Sequence, residues 1–188
     1  MTDQIDLTGK LLIAMPGMGD PRFAHSVIYV CAHSEEGAMG LVINKPTGDL
    51  HLRDLLEQLS IKPTPETRDI QVHFGGPVEH GRGFVLHDYG YHSSISTLDV
   101  NEEFAMTATL DILEDLAEGR GPGKAIMALG YAGWGPGQVE AEIAQNGWLT
   151  CEADHTLVFQ TNDIQKWEAS LKKLGISALA LSSDAGHA

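Results

Sequence analysis

Apolar positions along this chain fall into short bursts separated by turn chemistry, and the spacing within each burst names the element it predicts. Three β segments open the chain: Leu11 to Met15, Val27 to Cys31 with its β-branched and aromatic residues, and Gly40 to Asn44. Pro16-Gly17 and Asp20-Pro21 break the first connection, and Glu35-Glu36-Gly37 separates the next pair at hairpin length. Asn44-Lys45-Pro46 ends the third strand. Leu52, Leu55, Leu56 and Leu59 then recur at helical spacing, with Asp49 placed to cap and Pro63 and Pro65 beyond the end.

Ile70 to Phe74 and Gly83 to His87 predict a hairpin or two adjacent strands, cut by Gly75-Gly76-Pro77. Phe104, Met106 and Ala108 alternate as a strand does, and Leu110, Leu113, Leu116 and Ala117 mark one face of a helix closed by Gly119. Ala125 to Leu129 predicts a buried strand, Gly130 to Gly135 a tight turn, and Pro136 the first residue of a helix carrying Val139 and Ile143. Trp148 to Cys151 and Thr156 to Gln160 are expected as short strands. Ile164, Trp167, Leu171 and Leu174 form the last helix, capped by Gly175, and the tail from Ile176 is compatible with a final strand. Strands alternating irregularly with about four helices predict a mixed α/β (α+β) fold, a mixed sheet covered by helices, in one domain over residues 1–188.

Size and composition fit that picture. A chain of 188 residues buries roughly 70% of its unfolded surface, so a core forms without staples. Charge changes the functional picture more: 26 Asp and Glu against 12 Lys and Arg give −14 at pH 7, which repels phosphate backbones and anionic lipid surfaces. The two cysteines, Cys31 and Cys151, stand apart without CxxC spacing, and a reducing compartment is expected. The apolar run from Leu11 to Met15 is too short for a signal peptide or a membrane span, so a cytoplasmic protein is expected.

Several segments invite chemistry. Gly119-Arg120-Gly121-Pro122-Gly123-Lys124 has phosphate-loop composition but runs from helix to strand, the reverse of the order such a loop needs, and reads as a connection. Gly130-Tyr131-Ala132-Gly133-Trp134-Gly135-Pro136-Gly137-Gln138 has the right order without the lysine and hydroxyl residue; its glycines serve a tight turn, with a binding lip at Trp134 and Gln138 as the other reading. Nine histidines match no metal-ligand spacing, and neither metal nor cofactor is expected. His33 lies two residues after Cys31, on one face of an extended strand, where a thiolate–imidazole pair is conceivable beside the plainer reading of a core cysteine. Lys166, Lys172 and Lys173 read as a solvated helix face, too sparse for a nucleic-acid stripe.

Taken in order, a set of segments resembles the bacterial YqgE/AlgH family across nearly the whole chain. They include Leu12-Ile13-Ala14-Met15-Pro16, Asp20-Pro21 with Phe23, Ser26-Val27, Cys31 with His33, and Gly37-Ala38-Met39-Gly40 leading to Asn44-Lys45-Pro46. Gly75-Gly76-Pro77, Gly83-Phe84 with Leu86-His87, and the run Leu129 to Trp134 followed by Gly137-Gln138 and Glu140 continue the match, with Trp148-Leu149-Thr150 and Ala185 to Ala188 after them. The resemblance implies a mixed α/β fold with a bulged sheet and helices on its faces. It also implies a label as transcriptional regulator, with no catalytic residues to carry over. The acidic balance makes any regulation indirect.

The reading that follows is a non-catalytic intracellular binding or regulatory domain, acting through a small ligand or a protein partner. Its expected surface gathers polar residues at strand ends: Asn44, Lys45, His87, Trp134 and Gln138. The alternatives are an enzyme or redox sensor using Cys31 and His33, and a direct DNA-binding regulator, which the charge disfavours.

Overall fold

In the computed structural model, which describes residues 5–16 and 23–177, four consecutive apolar residues, Leu11 to Ala14, are fully buried. Neighbouring strand residues point to opposite faces, so that strand is covered on both. The described elements run β1 (Lys10–Ala14), β2 (Val27–Ser34), β3 (Gly37–Val42), β4 (Pro46–His51), α1 (Leu52–Gln58), β5 (Gln71–Phe74) and β6 (Val78–Asp88). They continue β7 (Leu98–Asp99), β8 (Phe104–Thr107), α2 (Leu110–Ala117), β9 (Ala125–Trp134), α3 (Gln138–Ala144), β10 (Trp148–Glu152) and α4 (Asp163–Lys173). They cluster into two units, one from the residues up to Asn44 together with those from Gly133 on, the other from Lys45–Ala132.

In the first unit the antiparallel order is β10-β1-β2-β3, with β2 and β3 forming the expected hairpin, Ser34 opposite Gly37. Cys31 is the extra residue of a bulge between Val30 and Ala32. Helix α4 lies on this sheet through Trp167, whose indole N–H donates to the Ala14 carbonyl at 2.8 Å, and its ring stacks on His25 at 4.1 Å. Lys166, expected on a solvated face, is instead 3% exposed; its ammonium donates to the Ile43 carbonyl and to Asp163. Thr156–Gln160, expected as a strand, is a π-helical turn. Its β-branched run is overridden locally, because Asp154 Oδ1 accepts the Leu157 N–H at 2.7 Å and Thr161 N–H closes onto the Thr156 carbonyl five residues back. Of the tail from Ile176 expected as a final strand, Ile176 and Ser177 are not in a strand, and the rest lies outside the described residues.

In the second unit β9 lies between β5, which runs parallel to it, and β6, which runs antiparallel. The expected hairpin between β5 and β6 is therefore absent: Gly75-Gly76-Pro77 carries the chain across β9. A Cβ at Gly76 would stand 2.0 Å from the Tyr131 carbonyl carbon, so only glycine allows that approach. β4 pairs with the far edge of β5, and β8 and β7 extend the sheet beyond β6. Asp49 lies inside β4 rather than at a cap; Asp54 Oδ2 accepts the His51 N–H at 3.0 Å and ties the start of α1. Helices α1 and α2 bury Leu52, Leu56, Leu113 and Leu116 with Val85 and Met127 of the sheet. Gly130 does not open a turn: β9 runs on to Trp134, kinked at Gly130 (φ 78°). Opposite that kink β6 carries four residues, Glu79 to Arg82, between the pairs Val78–Tyr131 and Gly83–Leu129. The fold is mixed α/β with bulged strands, as expected from pattern and resemblance.

Candidate functional site

The corner from β9 through α3 to β10 contains two of the expected surface residues, and it is built as a clamp. Trp134 is 8% exposed and Trp148 2%, and their rings meet edge-on at 6.2 Å. Both indole N–H groups donate to one oxygen, Glu142 Oε1, at 3.1 and 2.8 Å. Gln138 donates its amide to Glu142 Oε2 at 3.0 Å and accepts the Gly135 N–H at 3.0 Å. The Gly135 N–H, one of those an anion could use at this turn, is thus already taken, and Trp134 is a core residue rather than a lip.

Asn44 is buried, its carbonyl accepting the Val27 N–H at 2.9 Å and its amide donating to the His25 carbonyl at 2.9 Å. Lys45 opens the second unit, where its carbonyl accepts the Phe74 N–H and partial burial lowers its pKa. His87 is fully buried. Its Nδ1 lies 2.9 Å from the Asp88 carbonyl, which can only accept, so Nδ1 carries the proton. Burial lowers the His87 pKa and keeps the ring neutral, which leaves Nε2 to accept the Thr107 hydroxyl at 2.8 Å; Thr107 accepts in turn from Thr97 at 2.8 Å. The structure therefore corrects the expected surface: Trp134 and Gln138 come together through Glu142, whereas Asn44 and His87 are internal anchors with both polar ends spent.

Cys31 and His33 do not form the conceived pair. The bulge buries Cys31, and desolvation pushes its thiol up to about 12, the opposite of a reactive thiolate. His33 Nδ1 accepts the Leu7 N–H at 3.0 Å, and Nε2 faces Glu140 at 3.2 Å. Among the described residues no group of three or more His, Cys, Asp or Glu side chains is arranged to hold a metal.

An apolar hollow went unpredicted. In the second unit a groove of about 180 Å³ opens between α1, α2 and the sheet, lined by Leu55, Leu59, Leu110, Leu113, Met127 and Leu129 together with Gly81 and Gly83 of β6. Its rim is apolar and exposed, Leu59 at 42% and Leu110 at 56%. Thr107 and Thr109 also border it, but their hydroxyls are held by His87 and Asp111. Such a wall offers apolar contacts rather than hydrogen bonds. Its signal in the sequence was the absence of side chains at two alternate positions, Gly81 and Gly83, opposite a helix with a leucine at its first position.

Comparison with known proteins gives a consistent answer. A sequence profile described as AlgH-like matches residues 11–179. The chain is 60% identical over 184 residues to a UPF0301 protein of Cereibacter sphaeroides strain KD131, covering 98% of this chain and 100% of that one. A UPF0301 protein of Ruegeria pomeroyi is 60% identical over 185 residues with the same coverage. The solution structure of the AlgH protein from Pseudomonas aeruginosa superposes with a TM-score of 0.80 at 44% identity, covering 100% of this chain and 99% of that one. A crystal structure from Corynebacterium diphtheriae shares the fold at 19% identity, with a TM-score of 0.70 over 92% of this chain and 90% of that one.

Proposed function

The chain belongs to the AlgH-like family, and from that premise we propose that it acts as a non-catalytic binding domain in the cytoplasm, using the apolar groove of its second unit. The observation that carries this reading is a hollow of about 180 Å³ with leucine walls and an exposed leucine rim. An engineered leucine-lined cavity of about 150 Å³ stays dry and takes benzene, so this one suits a single hydrocarbon group. The burial of Cys31 removes support from the redox alternative. The formal charge of −14 favours regulation through a ligand or protein partner over direct DNA contact. No helix among the described residues is long and apolar enough to cross a membrane.

Toluene titration followed by methyl NMR tests this reading. Saturable shifts at Leu55, Leu113 and Met127 are expected in the wild type and are expected to vanish in Gly81→Leu. A Cβ at Gly81 meets nothing within 4 Å, so that variant folds; Leu110→Glu, at an exposed first helical position, is the second control. Absence of any saturable shift in the wild type would refute the reading.

A further inference from the structure

The groove has one wall made of backbone. β6 pairs with β8 from Asp88 back to Val85, opposite Thr107, and there β8 ends and turns away into α2. β6 continues without that neighbour, and its residues Glu79 to Arg82 also bulge away from β9. Among the described residues, Gly81 and Arg82 therefore have no ladder partner on either side. An unpaired strand edge of this kind is a template for another strand. A Cβ at Gly83 would stand 2.6 Å from Met127 Cε and displace the flexible end of that side chain, and Gly81 leaves its space open. The edge is thus bare at the point where the apolar hollow begins. Arg82 is the one charged residue in the lining; its guanidinium sits 5.2 Å from the Phe84 ring centre and 3.5 Å from Glu79, half exposed.

We propose that this groove receives an extended peptide segment of a partner protein by strand addition. The peptide's backbone bonds to the N–H and C=O groups of Gly81 and Arg82, which lie outside both ladders, one aliphatic side chain fills the hollow, and a carboxylate next to that anchor meets Arg82. Backbone bonds supply affinity in this mode and the pocket supplies selectivity. The volume admits one branched or aromatic side chain, and Arg82, the one charged residue of the lining, paired at 3.5 Å with a half-exposed Glu79, favours an acidic flank that can take that partner's place. The inference rests on the groove being the binding site, and it adds the partner's class and geometry.

The test is selection from two libraries of random seven-residue peptides, one with free C-termini and one displayed internally, followed by fluorescence polarisation on the synthesised winners. Selected sequences are expected to share one aliphatic position beside an acid or a free terminus. Their affinity should fall about tenfold or more with Gly81→Leu and with N-methylation of the peptide backbone. A smaller, several-fold loss is expected with Arg82→Ala. Amidated copies separate a terminal carboxylate from an acidic side chain. Amide exchange at Gly81 and Arg82 should slow in the complex. No enrichment, or winners indifferent to both Gly81→Leu and N-methylation, would overturn the proposal. If toluene binds while no peptide is selected, the groove stands as a small-ligand site and strand addition falls; Gly81-dependent self-association without peptide binding makes the occupant a second copy and likewise overturns it.

Discussion

Replacing Glu142 by alanine tests the clamp in the first unit most directly. Its carboxylate accepts the indole N–H groups of Trp134 and Trp148 and the amide of Gln138. Removing it leaves two nearly buried N–H donors without an acceptor, at about 1–3 kcal/mol each, whereas Gln138 is exposed and finds water. Glu142 is itself half-buried, so water reaches part of the vacated space, and a loss of about 3 kcal/mol is expected. For a chain of this size about 3 kcal/mol corresponds to roughly 6–12 °C in Tm. Glu142→Gln keeps an oxygen for both indoles and should cost only about 1 kcal/mol. Urea unfolding followed by tryptophan fluorescence measures both. Glu142→Ala within about 0.5 kcal/mol of the wild type would refute the reasoning and return Trp134 to the list of surface candidates.

Other outcomes follow from the same structure. Neither Cys31 nor Cys151, both buried with burial pushing their thiols up to about 12 and about 11, should react with a disulfide reagent near neutral pH until the protein is unfolded; rapid native labelling of Cys31 would revive the redox reading. Gly76→Ala should cost about 3 kcal/mol or more because its Cβ meets the Tyr131 backbone at 2.0 Å, while Gly81→Ala should be nearly neutral; equal melting curves would show that the crossing at Gly76 yields. Burial lowers the folded-state pKa of His87 below the ordinary histidine value of about 6.5, so the unfolded chain binds the proton more readily. Its contribution is full above that value and is lost as pH falls from there toward the folded pKa. Imidazole ¹⁵N shifts at about pH 7.5, above the ordinary histidine pKa, should report a neutral ring protonated at Nδ1, and an imidazolium signal there would contradict the bonding.

Much of the fold was legible because its signals are local. Leu110, Leu113 and Leu116 mark a helix by spacing alone, and Glu35-Glu36-Gly37 makes the hairpin it suggests. The errors arise where a distant contact decides. Gly130 reads as a turn residue, but β9 needs glycine there to pass the Gly76 backbone, a contact 54 residues away in sequence. Pro46 to His51 has no alternating pattern, yet it becomes β4 because the edge of β5 is available to it. Thr156–Gln160 has strand composition and yields to a single aspartate just before it. The site was less legible still. Glu142 carries no local sign of its role, and acting as shared acceptor requires two tryptophans brought together from β9 and β10. The groove is an absence of side chains, visible only once α2 stands over Gly81 and Gly83.

The interruption of the first unit by the second governs the order in which the chain can fold during synthesis. Lys45–Ala132 is continuous, so its sheet and helices are all present once Ala132 has left the ribosome. β1 must wait for β10, where Lys10 pairs with Glu152 across 142 residues. Closing that separation carries a loop-entropy cost that local contacts do not offset. The buried strands of the first unit therefore spend most of translation without their outer neighbour, and the nascent chain is protected first in its middle and last at its two ends. Limited proteolysis of ribosome-bound chains stalled at the length where Ala132 has just emerged should find the central segment resistant while Leu11 to Val42 is still cut.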